Sequence, residues 1–217
     1  MSSPENPRND NLNKTLLYKE EDNLPPLVKA AADMALEAGF ANSCTPEQGK
    51  LLSLMAAGRD GGVIGETGTG YGVGLAWKAT ACSRKTAIIS VEINGEQVDK
   101  TRALFADYPN VQILHGDWRL IEEHAPYDLL VLDGGGGGKR GGEAPPDPKK
   151  LLNRSGNVVL DDFYPAVETW PPVDDPNLSD RAISLNKARK YWFEHPEMLT
   201  TEFRLHPVAS VLIGMRK

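Results

Sequence analysis

The chain has 217 residues, 40% hydrophobic and 25% charged, with a formal net charge of −6. That is enough apolar content for one ordinary core, and the acidic balance argues against general affinity for nucleic acid. No apolar run is long enough to span a bilayer, so no membrane partner is expected. The two cysteines, Cys44 and Cys82, have neither metal-site spacing nor the number for a disulfide framework, which makes a reducing, cytoplasmic setting the expectation.

The first residues, "MSSPENPRNDNLNK", are polar and proline-containing and read as a flexible arm, with the arm expected over residues 1–23 and one folded domain over 24–217. "LPPLVKAAADMALEAGF" reads as a helix whose start is set by its prolines. A second helix opens at "CTPEQGKLLSLMAAG". Thr45 is its N-cap, Pro46 suits its first turn, Gln48 completes a capping box with Thr45, and Gly58 stops it.

From there short apolar runs alternate with helix-like segments. The runs are "GVIGE", "AIISV", "VQIL", "DLLVL" and "NVVL", and the first three are separated by helical stretches over 72–81 and 95–107. Strands separated by helices predict a parallel sheet covered on both faces. "WRLIEEHA" suits a short helix, and "DGGGGGKRGGEAPPDPKK" predicts a long loop of the kind that is often functional or mobile. After a late helix in "LSDRAISLNKARKYWFEH", two runs, "TTEFRLHP" and "ASVLIGMR", follow with no helix between them. They are expected to pair antiparallel.

The stretch "GVIGETGTGYGVGLAWKA" joins the first strand to a helix through closely spaced glycines. Such a turn lets the backbone approach a ligand and offers the free N–H groups of a helix N-terminus. The spacing does not match a dinucleotide fingerprint, because Val73 and Leu75 stand where the third glycine would be. Glu92 ends the next strand about twenty residues further on, where an acid reaches a ribose diol. Asp117 and Trp118 end the third strand, offering an acceptor for an adenine amino group and a flat ring for a purine face. Asp133, Asp161 and Asp162 stand just past strand ends, where open α/β sheets bind ligands. Three acids brought together call for a cation or a proton, and all-oxygen ligation would suit Mg²⁺ or Ca²⁺.

The E-x-G-x-G-x-G loop and the following "VEI" resemble motifs of class I S-adenosylmethionine-dependent methyltransferases. "TPEQGKLL" and the spacing of Asp133 from Asp161-Asp162 resemble the catechol O-methyltransferase-like branch, the small-molecule O-methyltransferases of bacteria among them. The resemblance covers roughly residues 24–217. It implies a Rossmann-like methyltransferase fold, α/β, with a seven-stranded, mostly parallel sheet, an antiparallel C-terminal strand, and helices on both faces. It also implies S-adenosyl-L-methionine held by Glu66, Gly68, Thr69, Gly70, Gly72, Glu92, Asp117, Trp118 and Asp133. The same resemblance makes Asp133, Asp161 and Asp162 ligands of Mg²⁺ or another divalent cation that assists methyl transfer to a hydroxyl of a small, aromatic or polyhydroxylated acceptor.

Two positions depart from that family's pattern. The lysine that family carries three residues after its first Asp is Gly136 here, so Lys139 is the nearest base, with Asp133 beside it as the other expected catalytic group. Asp162 stands in place of the family's Asn. Phe163, Tyr164 and Trp170, in "DDFYPAVETWPPVDDP", are expected to wall the acceptor site. The alternatives are methylation of a modified RNA nucleoside, a nicotinamide-dependent oxidoreductase, and a cofactor-binding module without catalysis; a homodimer stays open.

Overall fold

A computed structural model describes residues 13–140, 143–163, 180–206 and 209–217. The seven strands are β1 (Val63–Thr67), β2 (Ala87–Glu92), β3 (Val111–His115), β4 (Tyr127–Leu132), β5 (Leu152–Phe163), β6 (Met198–His206) and β7 (Ala209–Arg216). They form one sheet in the order β3-β2-β1-β4-β5-β7-β6. β1 pairs parallel with β2 and β4, β2 with β3, and β4 with β5; β7 runs antiparallel to both β5 and β6. The chain thus starts in the middle of the sheet, winds outward to β3, and returns through β4. That reversal leaves a crevice at the C-terminal ends of β1 and β4, the place where doubly wound sheets bind ligands.

The helices are α1 (Pro26–Glu37), α2 (Pro46–Ala57), α3 (Val73–Ala81), α4 (Gly95–Leu104), the single turn α5 (Pro148–Leu151) and α6 (Asp180–Glu194). Short 3-10 helices cover Lys14–Glu20 and Trp118–His124. Successive strand residues point to opposite faces, and the strand sequences follow that rule. Ile64, Ile88, Leu129, Val131 and Val159 pack with α1–α4. Ile89, Leu130, Leu132, Val158 and Leu160 pack on the other face with α6 and the second 3-10 helix. A strand buried on both faces needs continuous apolar sequence, which "DLLVL" and "NVVL" supply. Each such Leu, Ile or Val contributes roughly 1.5–3 kcal/mol by its burial.

The sequence reading placed residues 1–23 in a flexible arm. Residues 1–12 lie outside the described residues, but Lys14–Glu20 forms a docked 3-10 helix with Thr15 and Tyr18 buried. Thr15 Oγ1 donates to Ser43 Oγ at 2.9 Å, and Trp77 Nε1 donates to Tyr18 Oη at 3.0 Å. The glycine run after β4 also differs from a mobile loop. Gly135–Gly138 is buried. A Cβ on Gly135 or Gly136 would come within 2.5 or 2.8 Å of the Trp118 indole, so the glycines let the ring lie against bare backbone. Trp192 Nε1 then donates to the Gly137 carbonyl at 3.0 Å.

Candidate active site

β1 delivers Glu66 and Thr67 to the crevice, and the chain then turns through Gly68, Thr69, Gly70, Tyr71 and Gly72 into α3. Gly68, Gly70 and Gly72 have φ of 83°, 54° and 82°, the left-handed region that glycine enters without strain. Gly70 N donates to Glu92 Oε2 at 2.8 Å, and Asn94 N donates to Glu92 Oε1 at 2.9 Å. Two backbone amides therefore fix this carboxylate, and each oxygen keeps a lone pair for a further donor.

Glu66 is buried beside the loop. It accepts from Lys78 Nζ of α3 and, at 2.7 Å, from the Ser90 hydroxyl of β2. Thr69 Oγ1 lies 2.6 Å from Ser90 Oγ, which ties the glycine loop into the same network. Asp117 caps the 3-10 helix that follows β3. Its Oδ1 accepts from Arg119 N at 3.0 Å and from the Arg119 guanidinium at 2.8 Å, and these bonds hold its carboxyl below the usual range. The Arg119 guanidinium also lies 4.9 Å from the centre of the Trp118 ring.

A cleft of about 420 Å³ joins these groups. Glu66, Gly68, Thr69, Gly70, Glu92, Asp117, Trp118 and Asp133 all line it, as do Asp162 and Arg140. Of the residues expected at the cofactor, Gly72 alone is not on its wall; it serves as N-cap of α3.

The acid cluster also forms. Asp133, Asp161 and Asp162 each offer an oxygen within 4.8 Å of the others. Asp161 and Asp162 were expected past a strand end but lie inside β5, which runs on to Phe163; Asp162 takes a φ of 57° where β5 slips register against β7 between Leu160 and Phe163. Two lysines enter this cluster. Lys139 Nζ donates to Asp161 Oδ1 at 2.9 Å and to the backbone carbonyls of Asp133 and Asp161 at 3.0 and 3.1 Å. Lys14 Nζ, from the N-terminal 3-10 helix, donates to Asp162 Oδ1 at 2.7 Å and lies 4.0 Å from Asp161 Oδ2. Burial disfavours the charged form of Asp161, but Lys139 and Lys14 outweigh it and hold the carboxyl below its ordinary range. Burial, with Asp161 and Asp162 as like charges, pushes Asp133 well above that range.

Three expectations change at this point. Lys139 was expected as a base delivered to the acceptor; all three of its N–H groups are spent inside the cluster, so it stands there as a cation. Gln48 was expected to close a capping box with Thr45. Thr45 Oγ1 does accept from Gln48 N at 3.3 Å, but the Gln48 side chain instead donates to Asp161 Oδ2 at 3.2 Å. Phe163 was expected on an acceptor wall; it is fully buried in the core, with the Arg189 guanidinium 5.2 Å from its ring centre. Tyr164 and Trp170 lie outside the described residues.

The sequence reading missed Lys14, Gln48, Lys78 and Ser90 as partners of the site acids. Lys78 left one signal, a lysine set in the apolar run "VGLAWKATA".

Structural comparison places this arrangement among known folds. The O-methyltransferase from Bacillus cereus, in complex with SAH, superimposes with a TM-score of 0.73 at 16% identity, covering 94% of this chain and 96% of that one. The fold is that of the Rossmann-like methyltransferases. The O-methyltransferase TomG from Streptomyces achromogenes, in complex with SAM, gives a TM-score of 0.69 at 17% identity over 94% and 95% of the two chains. SAH-bound PaMTH1 from Podospora anserina gives 0.68 at 18% over 100% and 99%. In sequence, a protein of Mycolicibacterium paratuberculosis named "Putative O-methyltransferase" is 32% identical over 116 residues, which is 49% of this chain and 51% of that protein. The match thus spans about half the length of that curated relative. No family model matches the chain. No helix among the described residues is long and apolar enough to cross a membrane.

Proposed function

We propose that this chain is an S-adenosylmethionine-dependent O-methyltransferase whose acceptor is a hydroxyl of a small, aromatic or polyhydroxylated molecule. The observation that carries the reading is the Glu92 carboxylate held against the glycine loop by the Gly70 and Asn94 amides. Glu66, Glu92, Asp117 and Asp133 line the part built by β1, β2, β3 and β4. The glycine loop aims Gly70 N at Glu92 rather than leaving it for a phosphate oxygen, and a carboxylate in that place repels a pyrophosphate. This suits a sulfonium nucleoside with an amino acid tail and disfavours a nicotinamide dinucleotide. The SAM- and SAH-bound relatives of the same fold agree with that choice.

When bound, S-adenosylmethionine supplies a methyl group already activated on sulfur. The protein's part is alignment. Glu92 would accept from the ribose diol, with its two amide bonds fixing the carboxylate's angle. Trp118, backed by Gly135 and Gly136, gives a flat surface beside Asp117 for the adenine. Asp133 and Asp162, at the ends of β4 and β5, would meet the acceptor hydroxyl, and Asp162 would take its proton as the oxygen receives the methyl and the S–CH₃ bonding pair stays on sulfur.

The donor set does not fit a divalent ion. Two buried ammonium groups, Lys139 and Lys14, already sit against Asp161 and Asp162 where the ion would lie, so no step here is routed through a metal. Titration calorimetry with S-adenosylmethionine, S-adenosylhomocysteine and NAD tests the ligand, and a panel of hydroxylated acceptors tests turnover. Binding of NAD in preference to the sulfonium nucleoside would reject the reading.

A further inference from the structure

We propose that Lys14 and Lys139 are the resident cations of the Asp133–Asp161–Asp162 centre and make it independent of divalent metal. This rests on the methyltransferase reading for its function, though not for its geometry.

The two ammonium groups come from unrelated parts of the chain and are each built into place. Lys139 follows the packed glycine run and bridges the ends of β4 and β5 through two carbonyls and one carboxylate. Lys14 opens the N-terminal 3-10 helix, which Thr15 and Tyr18 pin to Ser43 and Trp77. Their side chains are only 9% and 13% exposed. Desolvated ammonium groups are costly unless paired, and the three acids are their partners. Gln48 takes the remaining oxygen of Asp161. A divalent ion entering here would have to expel a buried ammonium or sit beside two of them, so the charge balance that a metal would supply is already supplied. Lys14 is on this view a positioning residue. It orients Asp162 at the cleft and links the N-terminal segment to the site.

Electron paramagnetic resonance of free Mn²⁺ tests this, with and without S-adenosylhomocysteine. The wild-type protein is expected to leave the Mn²⁺ signal undiminished, and EDTA to change neither its melting temperature nor its affinity for S-adenosylhomocysteine. Lys14→Met/Lys139→Met is expected to take up Mn²⁺ and to be stabilised by it, a gain that a purely structural role for the lysines would not produce. Lys14→Arg, which keeps the cation, is expected to exclude Mn²⁺ as the wild type does. Stoichiometric Mn²⁺ binding by the wild type would overturn the proposal, even if the double variant failed to fold. A folded double variant that ignored Mn²⁺ would overturn it as well. Loss of S-adenosylhomocysteine binding alone would reject the methyl-transfer reading and leave the cation assignment standing.

Discussion

Gly70 donates its backbone N–H to the Glu92 carboxylate at 2.8 Å, so the glycine loop and the acid at the end of β2 form one rigid unit. Glu92 serves the loop and the proposed ribose site together. Glu92→Ala strands the amides of Gly70 and Asn94 and removes the proposed ribose acceptor. Hydrogen bonds to a charged group are worth roughly 1.5–3 kcal/mol, so affinity for S-adenosylmethionine should fall about 10- to 100-fold. Calorimetry on the folded variant checks it; unchanged affinity would place the ribose elsewhere.

Gly68 and Gly134 touch backbone to backbone. A Cβ on Gly68 would lie 2.6 Å from Gly134 N and 2.7 Å from Gly134 Cα, and the residue has a φ of 83°. Gly61 has a similar φ, 75°, but nothing within 4 Å of its would-be Cβ. Gly61→Ala should therefore cost only the left-handed conformation, about 1–2 kcal/mol. Gly68→Ala should cost more, because backbone atoms must also separate, and it should weaken cofactor binding. Urea unfolding of both variants decides the point: equal losses would mean that the contact carries no energy.

What the sequence made readable was local or periodic. The strand cores were visible because β4 and the 158–160 part of β5 are continuous apolar runs, and the α2 start because Thr45 caps it within a few residues. Asp133 was visible because it follows β4, and Asp161 and Asp162 because they follow that apolar run, 158–160, inside β5. Lys14 was not, since its partner Asp162 is 148 residues away and "KTLLYKE" has no helical apolar stripe. Gln48 was misread because its local signal, a capping box, lost to a buried carboxylate brought near only by the sheet. The glycine run reads only as a long loop, functional or mobile, because nothing local shows that Trp118 lies against it.

The Lys78–Glu66 pair is enclosed, with side chains 0% and 4% exposed. Lys78→Met should destabilise the protein by about 3–5 kcal/mol, because it leaves the Glu66 charge buried with the Ser90 hydroxyl as its remaining side-chain donor. Lys78→Met/Glu66→Gln removes both charges and should recover much of that loss. Denaturant midpoints of the two variants check this. A double variant no more stable than the single one would show that the cost lies in packing around Lys78 rather than in the stranded charge.

Burial pushes the Cys44 thiol up to about 12, with the neighbouring Tyr18 hydroxyl too weak a donor to bring it back. The fold therefore favours the neutral thiol. An unfolded cysteine titrates near ~8.5, so this contribution to stability is complete below that pH and is lost as pH rises toward the folded value. Stability should decline above about pH 8.5, and Cys44→Ala should flatten that decline. Near neutral pH the Cys44 thiolate fraction is lower than that of a free cysteine by roughly three orders of magnitude. Burial also raises the Cys82 thiol, but this residue is half-buried. Ellman's reagent should therefore label Cys82 slowly and Cys44 hardly at all in the folded protein, and both at once in denaturant. Cys44 reacting as fast as Cys82 in the native state would mean that the Tyr18 helix opens readily and that its docking over Cys44 and Trp77 is weak.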